Sequence, residues 1–343
     1  MNHQRNKSIQ IVRIVAMFMI MFDHIITFIN IPGKSFFIQV TNAGTLIFVF
    51  VSGLLFGERN VDNWANWIRK RLLRICVPMW ITILFCLRLE QLLWGVNEWK
   101  KGILYIFNIQ GIFGVITSGA HLWFLTLIMV CYLLTPLLSR IKKRVETKYL
   151  LLSVLIFCFL QITVSCFCDI NLASAHSLGW WMLAIIIYFI GYMWGSRIVE
   201  FFNCNYKRVV GLVGISIVVG MLTVLLKQNI SDLIIYNKFI IFYSLSCIEL
   251  CIFVIVYCIG KIHFPKLINM GINLFDKISY EMYLVHMAVL CFITIPIIKR
   301  LGVGIYIILT IVLSIIISIL LHLICSALFR ITKTKKIDKK GNK

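Results

Sequence analysis

Ile9–Asn30, IQIVRIVAMFMIMFDHIITFIN, decides how the rest of this sequence is read. It is long and apolar enough to cross a bilayer, yet it holds Arg13, Asp23 and His24. Ionisable groups within a span cost several kcal/mol unless something satisfies or uses them, so all three are functional suspects. Arg13 and His24 are eleven positions apart, which on a helix is about three turns and ~16 Å along one face. A single face therefore carries a cation near one membrane surface and a titratable imidazole towards the other.

The composition fits a chain built from such segments. Of 343 residues 61% are hydrophobic and 14% charged, and the mean hydropathy is +0.95, values that belong to a polytopic membrane protein and leave no soluble domain of useful size. The first apolar segment has no small-residue cleavage site after it and reads as a retained span rather than a signal peptide. A net charge of +21 raises the question of nucleic acid. The basic residues, however, fall in short runs between apolar segments, as loops facing anionic lipid do, so no nucleic-acid partner is expected. Ten of the twelve cysteines lie in or beside apolar runs as small hydrophobes, Cys166 and Cys168 lie near a loop, and no metal-ligand spacing occurs.

Apolar runs at 9–30, 39–57, 72–95, 121–139, 149–167, 178–196, 208–226, 238–260, 278–297 and 304–328 predict an all-α bundle of about ten transmembrane helices. An even count places both termini on one side. With that side inside, 25 Lys and Arg face the cytoplasm and 7 face outwards, Arg13 and Arg88 lying within spans, and this bias orients the chain. The whole of 1–343 then forms one membrane domain, with its transmembrane core at 9–328 and a basic cytoplasmic tail at 329–343.

Several positions stand out along this frame. The segment TLIFVFVSGLLFG contains Ser52-Gly53, a small pair that lets helices approach closely. In RKRLLRICVP, Arg71 and Arg74 are one turn apart at the entrance to the third span. They read equally as topological anchors or as two guanidinium forks for a diphosphate or nucleotide phosphate. Arg88 and Glu90 fall near the outer end of that span, and NEWKKGILYIFNIQGIFGVITSG after them suits an interfacial helix and loop. His121 opens HLWFL; His176 and the GWW after it mark an outer interface; Glu249 is a single acid in the eighth span, with Arg13 or Arg88 as partners to choose from. In KISYEMYLVH, Glu281 lies in the inner part of the ninth span, and Ser279, Tyr283 and His286 fall on one polar face. His322 has no polar neighbour in sequence and reads as structural.

Taken together, Arg13 and His24 with ten residues between them, SGLLF, Arg71 and Arg74 with Pro78 four residues on, HLWFL and SYEMYLVH resemble the type-3 membrane acyltransferases, and the order is kept over nearly the whole chain. Those are bacterial polytopic enzymes that move acetyl or related groups onto surface glycans. The resemblance implies an O-acyltransferase in a bacterial cytoplasmic membrane. It would use acetyl-CoA or another acyl-CoA as donor substrate, with no tightly bound cofactor. Its acceptor would be a hydroxyl of a polysaccharide or glycolipid, and glycan-assembly proteins would be its partners. Asp23 stands where the family often has an apolar or small residue. No esterase-like domain is fused to the end, so the chain would deliver the acyl group alone or with a separate partner.

The chemistry expected of these residues is simple. Transfer from a thioester to a sugar hydroxyl needs a base for the hydroxyl proton and a donor for the developing oxyanion. His24 is the candidate base, because an ordinary imidazole titrates near working pH; either it acts directly or an acyl-histidine forms first. Asp23 is its candidate partner, although adjacent helical residues point about 100° apart. Arg13, Arg71 and Arg74 would hold the donor's phosphates, and His121, Glu281, His286, Arg88 and Glu90 are further candidates. A secondary transporter or flippase is the alternative class, which paired half-sites in an internal repeat would favour; none is visible.

Overall fold

A computed structural model describes residues 6–59, 61, 63–167, 178–229 and 249–341. His176, Cys168 and the first part of the 238–260 run lie outside them. Helices joined by short turns and loops make up the described residues, which contain no strand. Seven helical segments are long and apolar enough to cross a membrane, at Lys7–Thr27, Phe36–Gly57, Trp64–Trp94, Thr117–Arg144, Gly179–Cys204, Lys266–Ile297 and Gly302–Arg330. Two shorter apolar helices, Thr147–Gln161 and Glu249–Ile259, fall on other predicted runs.

The chain forms two compact units. The first draws on the chain up to Ile26, on Ile31–Trp64 and on Leu127–Ile272. Its helices are α1 (Lys7–Thr27), α2 (Lys34–Gly57), most of α6 (Trp123–Arg144), α7 (Thr147–Phe167), α8 (Leu178–Cys204), α9 (Tyr206–Asn229) and α10 (Glu249–Ile259). Asn6 starts α1 by accepting the Ser8 N–H on Oδ1 at 3.0 Å, which satisfies one of the orphan donors of the first turn.

Within this unit α2 and α8 meet through paired glycines. Gly53 and Gly57 on α2 face the carbonyls of Tyr188 and Tyr192, while Gly191 on α8 faces the carbonyl of Phe50. A Cβ at any of the three would fall inside van der Waals contact with backbone, and at Gly195 it would lie 2.8 Å from Leu54 Cβ. Close packing, the structural use foreseen for Ser52-Gly53, is what Gly53 does. Lipid gives helices no hydrophobic reason to associate, so this backbone approach supplies the dispersion energy instead.

Lysines finish the same helices. Lys142 Nζ donates to Gly57 O at 3.1 Å, the last residue of α2, and to Tyr192 O at 3.0 Å, and it lies over the Tyr192 ring. Lys261 reaches Phe202 O near the end of α8 at 3.4 Å, and Lys7 reaches Ile262 O just past α10 at 3.5 Å. Cations belong at these ends, where unpaired carbonyls gather negative charge.

The second unit comprises Thr27–Asn30, Ala65–Thr126 and the chain from Asn273 onwards. It holds almost all of α3 (Trp64–Trp94), the short helices α4 (Trp99–Ile106) and α5 (Gln110–Phe113), a 3-10 turn at Thr117–Leu122, the later part of α11 (Lys266–Val289), and α12 (Ile295–Gly341). A π-helical turn at Leu290–Thr294 joins α11 to α12, and α12 breaks at Gly302, whose φ of 72° suits a residue without a Cβ.

The 97–119 stretch, expected as an interfacial helix and loop, forms the short helices α4 and α5, neither of them long enough to span. Its apolar Ile103, Ile106, Phe107, Ile112 and Phe113 are exposed, while several of its polar side chains are drawn inside the unit. Tyr105 is buried, with its hydroxyl accepting the Ile116 N–H at 2.9 Å and donating to Gly119 O at 3.4 Å, and its carbonyl accepting Trp80 Nε1–H at 3.0 Å. Burial raises the Tyr105 hydroxyl well above its ordinary pKa, which keeps the donor protonated. Asn108 donates to Leu125 O at 3.1 Å, Gln110 donates to Leu122 O at 2.8 Å and Asn108 Oδ1 at 3.0 Å, and the Gly111 N–H donates to Thr126 Oγ1 at 3.0 Å. The irregular backbone here is held by these bonds within the protein, with Gln110 Oε1 left without a partner among the described residues.

Candidate functional site

Three clusters carry the residues singled out in the sequence. The first is on α1, in the first unit. Arg13, Asp23 and His24 are all half-buried. Asp23 takes a hydrogen bond on Oδ1 from the Thr41 hydroxyl of α2 at 3.0 Å. That bond orients the carboxylate toward α2. Since α1 ends at Thr27, His24 sits one turn from the helix end. Glu249, on α10, is buried, and its Oε1 has no hydrogen-bond partner among the described residues.

The second cluster is basic and lies at the start of α3. Arg69, Lys70 and Arg74 are exposed, and Arg71 is half-buried with its guanidinium 5.6 Å from the centre of the Trp67 ring. Unlike the lysines of the first unit, Arg74 forms no ion pair or hydrogen bond among the described residues, which leaves its fork accessible. Behind it the chain is fixed, as Tyr280 donates its hydroxyl to Ile75 O at 2.6 Å.

The third cluster was legible only as separate residues. His121, which looked solitary in sequence, meets the polar face of α11 inside the second unit. Its Nε2 donates to Tyr283 O at 2.9 Å, and the Tyr283 hydroxyl donates back to His121 O at 2.5 Å. His286 stands edge-on to the His121 ring with centroids 4.6 Å apart, its Nδ1 donating to Met282 O at 3.2 Å. Because a carbonyl only accepts, these bonds put the proton of neutral His121 on Nε2 and that of neutral His286 on Nδ1. Both rings and Tyr283 are buried, and the HLWFL and SYEMYLVH segments thus build one centre.

The remaining candidates divide. Glu90 is 1% exposed and accepts both the Ser118 N–H and the Ser118 hydroxyl on Oε1 at 2.8 Å. Arg88, two residues earlier, is exposed and donates to Gln91 Oε1 at 3.1 Å, so the two do not pair. Glu281 is buried and pairs with His322 Nδ1 at 2.8 Å, which corrects the reading of His322 as a residue without polar company. Ser118, Tyr105, Asn108, Gln110 and the Glu281–His322 pair are polar positions that sequence reasoning missed or left unlinked. Their partners are up to 41 positions away in the chain, beyond the reach of helical periodicity.

Polar and titratable groups on apolar helices, arranged in this way, define a multi-pass helical membrane protein with the residues for acid–base chemistry. A family model for an acyltransferase domain, the type-3 acyltransferase family, matches residues 6–323, across both units. The chain belongs to that family. It is a membrane acyltransferase. No curated protein and no solved structure gives a significant match.

Proposed function

We propose that the chain transfers an acetyl or similar short acyl group from cytoplasmic acyl-CoA to a hydroxyl of a cell-surface or exported polysaccharide or glycolipid. It would do so from a bacterial cytoplasmic membrane, with about ten spans and both termini inside. The observation that carries this reading is the family match over residues 6–323, within which lie the exposed Arg74 beside half-buried Arg71, and half-buried His24 one turn from the end of α1. Arg13, Arg71 and Arg74 hold the phosphates of the donor. Two guanidinium groups one turn apart match paired phosphate oxygens, and at least Arg74 is not consumed by internal bonds.

In the transfer step His24 accepts the proton of the acceptor hydroxyl while its oxygen bonds to the thioester carbonyl carbon. The C–S bond then breaks, and the CoA thiolate takes up the proton. Asp23, held by Thr41, supports the charge that forms on the imidazole. The His121–Tyr283–His286 centre stands as the next candidate for proton handling. Purified protein given radiolabelled acetyl-CoA and then crude glycan tests the reading. Label in the glycan supports it, and CoA-dependent labelling of neither protein nor glycan overturns it. Reporter fusions after Lys148 and Lys343 should read as cytoplasmic and one near Ser118 as external.

A further inference from the structure

The second unit contains a cavity that the proposed chemistry does not use. It measures about 310 Å³ and is walled by α3, the end of α11 with its π turn, and α12. Thr82 and Cys86 are the only side chains with a polar atom in its lining, and the Thr82 hydroxyl is spent on Pro78 O at 3.0 Å. Its rim is formed by side chains that face outwards from the bundle, Phe85 at 65% and Leu320 at 55% exposed. In a membrane such an opening meets hydrocarbon, and only a hydrocarbon chain fills it without loss.

One cation stands over it. Arg88 lies one helical turn along α3 from Phe85 and next to Leu89, both of which line the cavity. Arg88 is exposed and bonded to neutral Gln91, with no carboxylate partner among the described residues. Trp99 Nε1 donates to the same Gln91 oxygen at 3.2 Å, and Trp94 packs on the lining residue Phe292 with centroids 4.9 Å apart. Two tryptophans at the end of a span mark the level of lipid headgroups. An uncompensated guanidinium at that level, above an apolar slot, matches an anionic headgroup joined to a long chain.

From this juxtaposition we infer that the cavity and Arg88 together bind a single-chain lipid phosphate, the carrier of a lipid-linked glycan acceptor. The inference rests on the acyl-transfer reading above and names its acceptor class. The volume is at the lower end of the range for ligand pockets, which suits one chain rather than the two of a diacyl phospholipid. A phosphate held by Arg88 would tether the glycan at the membrane surface, so its hydroxyls would be presented there without a separate glycan-binding domain.

The test is photolabelling of the full chain in phosphatidylglycerol vesicles. The probe is an isoprenoid monophosphate with a diazirine in its tail, and labelled peptides are mapped by mass spectrometry. Label should concentrate in the cavity segments of α3, α11 and α12, and it should fall at least fivefold in Leu320→Trp, which blocks the rim, and in Arg88→Gln, which is a surface change that leaves packing intact. Equal labelling of these segments by a diacyl phosphatidylglycerol probe, or labelling unchanged in Arg88→Gln, would overturn the inference and leave ordinary annular lipid. Labelling needs no acyl transfer. Transfer to glycan without selective labelling would therefore remove only the tail site, while selective labelling without transfer would remove only the enzyme reading.

Discussion

The α2–α8 contact in the first unit and the His121 centre in the second solve the same problem in opposite ways. Both must hold helices together where water is absent. The first uses glycines, so that backbone meets backbone, and its lysines are bonded to carbonyls at helix ends. The second buries imidazoles, a phenol and carboxamides, each of which requires a partner. Glycine packing costs little and needs no titratable group. A polar centre in a membrane is more expensive and adds about 0.6–2 kcal/mol per hydrogen bond, so the two contacts should respond differently to substitution.

Breaking the glycine contact should have the largest effect. Gly53→Leu drives a side chain into the Tyr188 carbonyl, and backbone cannot yield as a flexible side chain can. The expected cost is about 3 kcal/mol or more, read as loss of a monodisperse species after detergent extraction. Normal yield and melting temperature would show that α2 and α8 are not held this way.

A smaller effect is expected at the polar centre. Tyr283→Phe removes the donor to His121 O and little volume, so stability should fall by about 1–3 kcal/mol. If the centre handles protons, acyl transfer should fall further than the stability loss explains at matched protein levels. A parallel loss of both would place it with the glycines as scaffolding.

The smallest effect on folding belongs to the arginines of α3. Arg71→Lys and Arg74→Lys keep the charge but lose the fork, so apparent donor affinity should weaken about tenfold, or ~1.4 kcal/mol, with melting unchanged. Full activity with either lysine would return the pair to simple anchoring.

How far each region was readable follows from the length scale of its interactions. Helices follow from runs of apolar residues, and each of the seven described helices long enough to cross a membrane overlaps a predicted run because hydrophobic length is local, though α3 and α11 begin well before theirs. Gly53 was recognisable as a packing residue for the same reason. Its partners Gly191 and Gly195 repeat its spacing but lie some 140 positions on, and nothing local pairs them. His121 and Tyr283 are 162 positions apart; each was visible as a polar residue in an apolar run, but their union is a property of the fold. The short amphipathic helix of the 97–119 stretch was readable, but its inward bonds were not, because those of Asn108 and Gln110 end on backbone carbonyls that carry no sequence signature.

His24 decides the central claim. At matched protein levels, with glycan-linked acetyl as the measured product, His24→Gln keeps a polar side chain but cannot take a proton near neutral pH. The account predicts transfer reduced 10²–10⁴-fold, the usual loss of a positioned base, and no greater in His24→Ala. Substantial transfer by His24→Gln would contradict it and move the base to the His121–His286 pair.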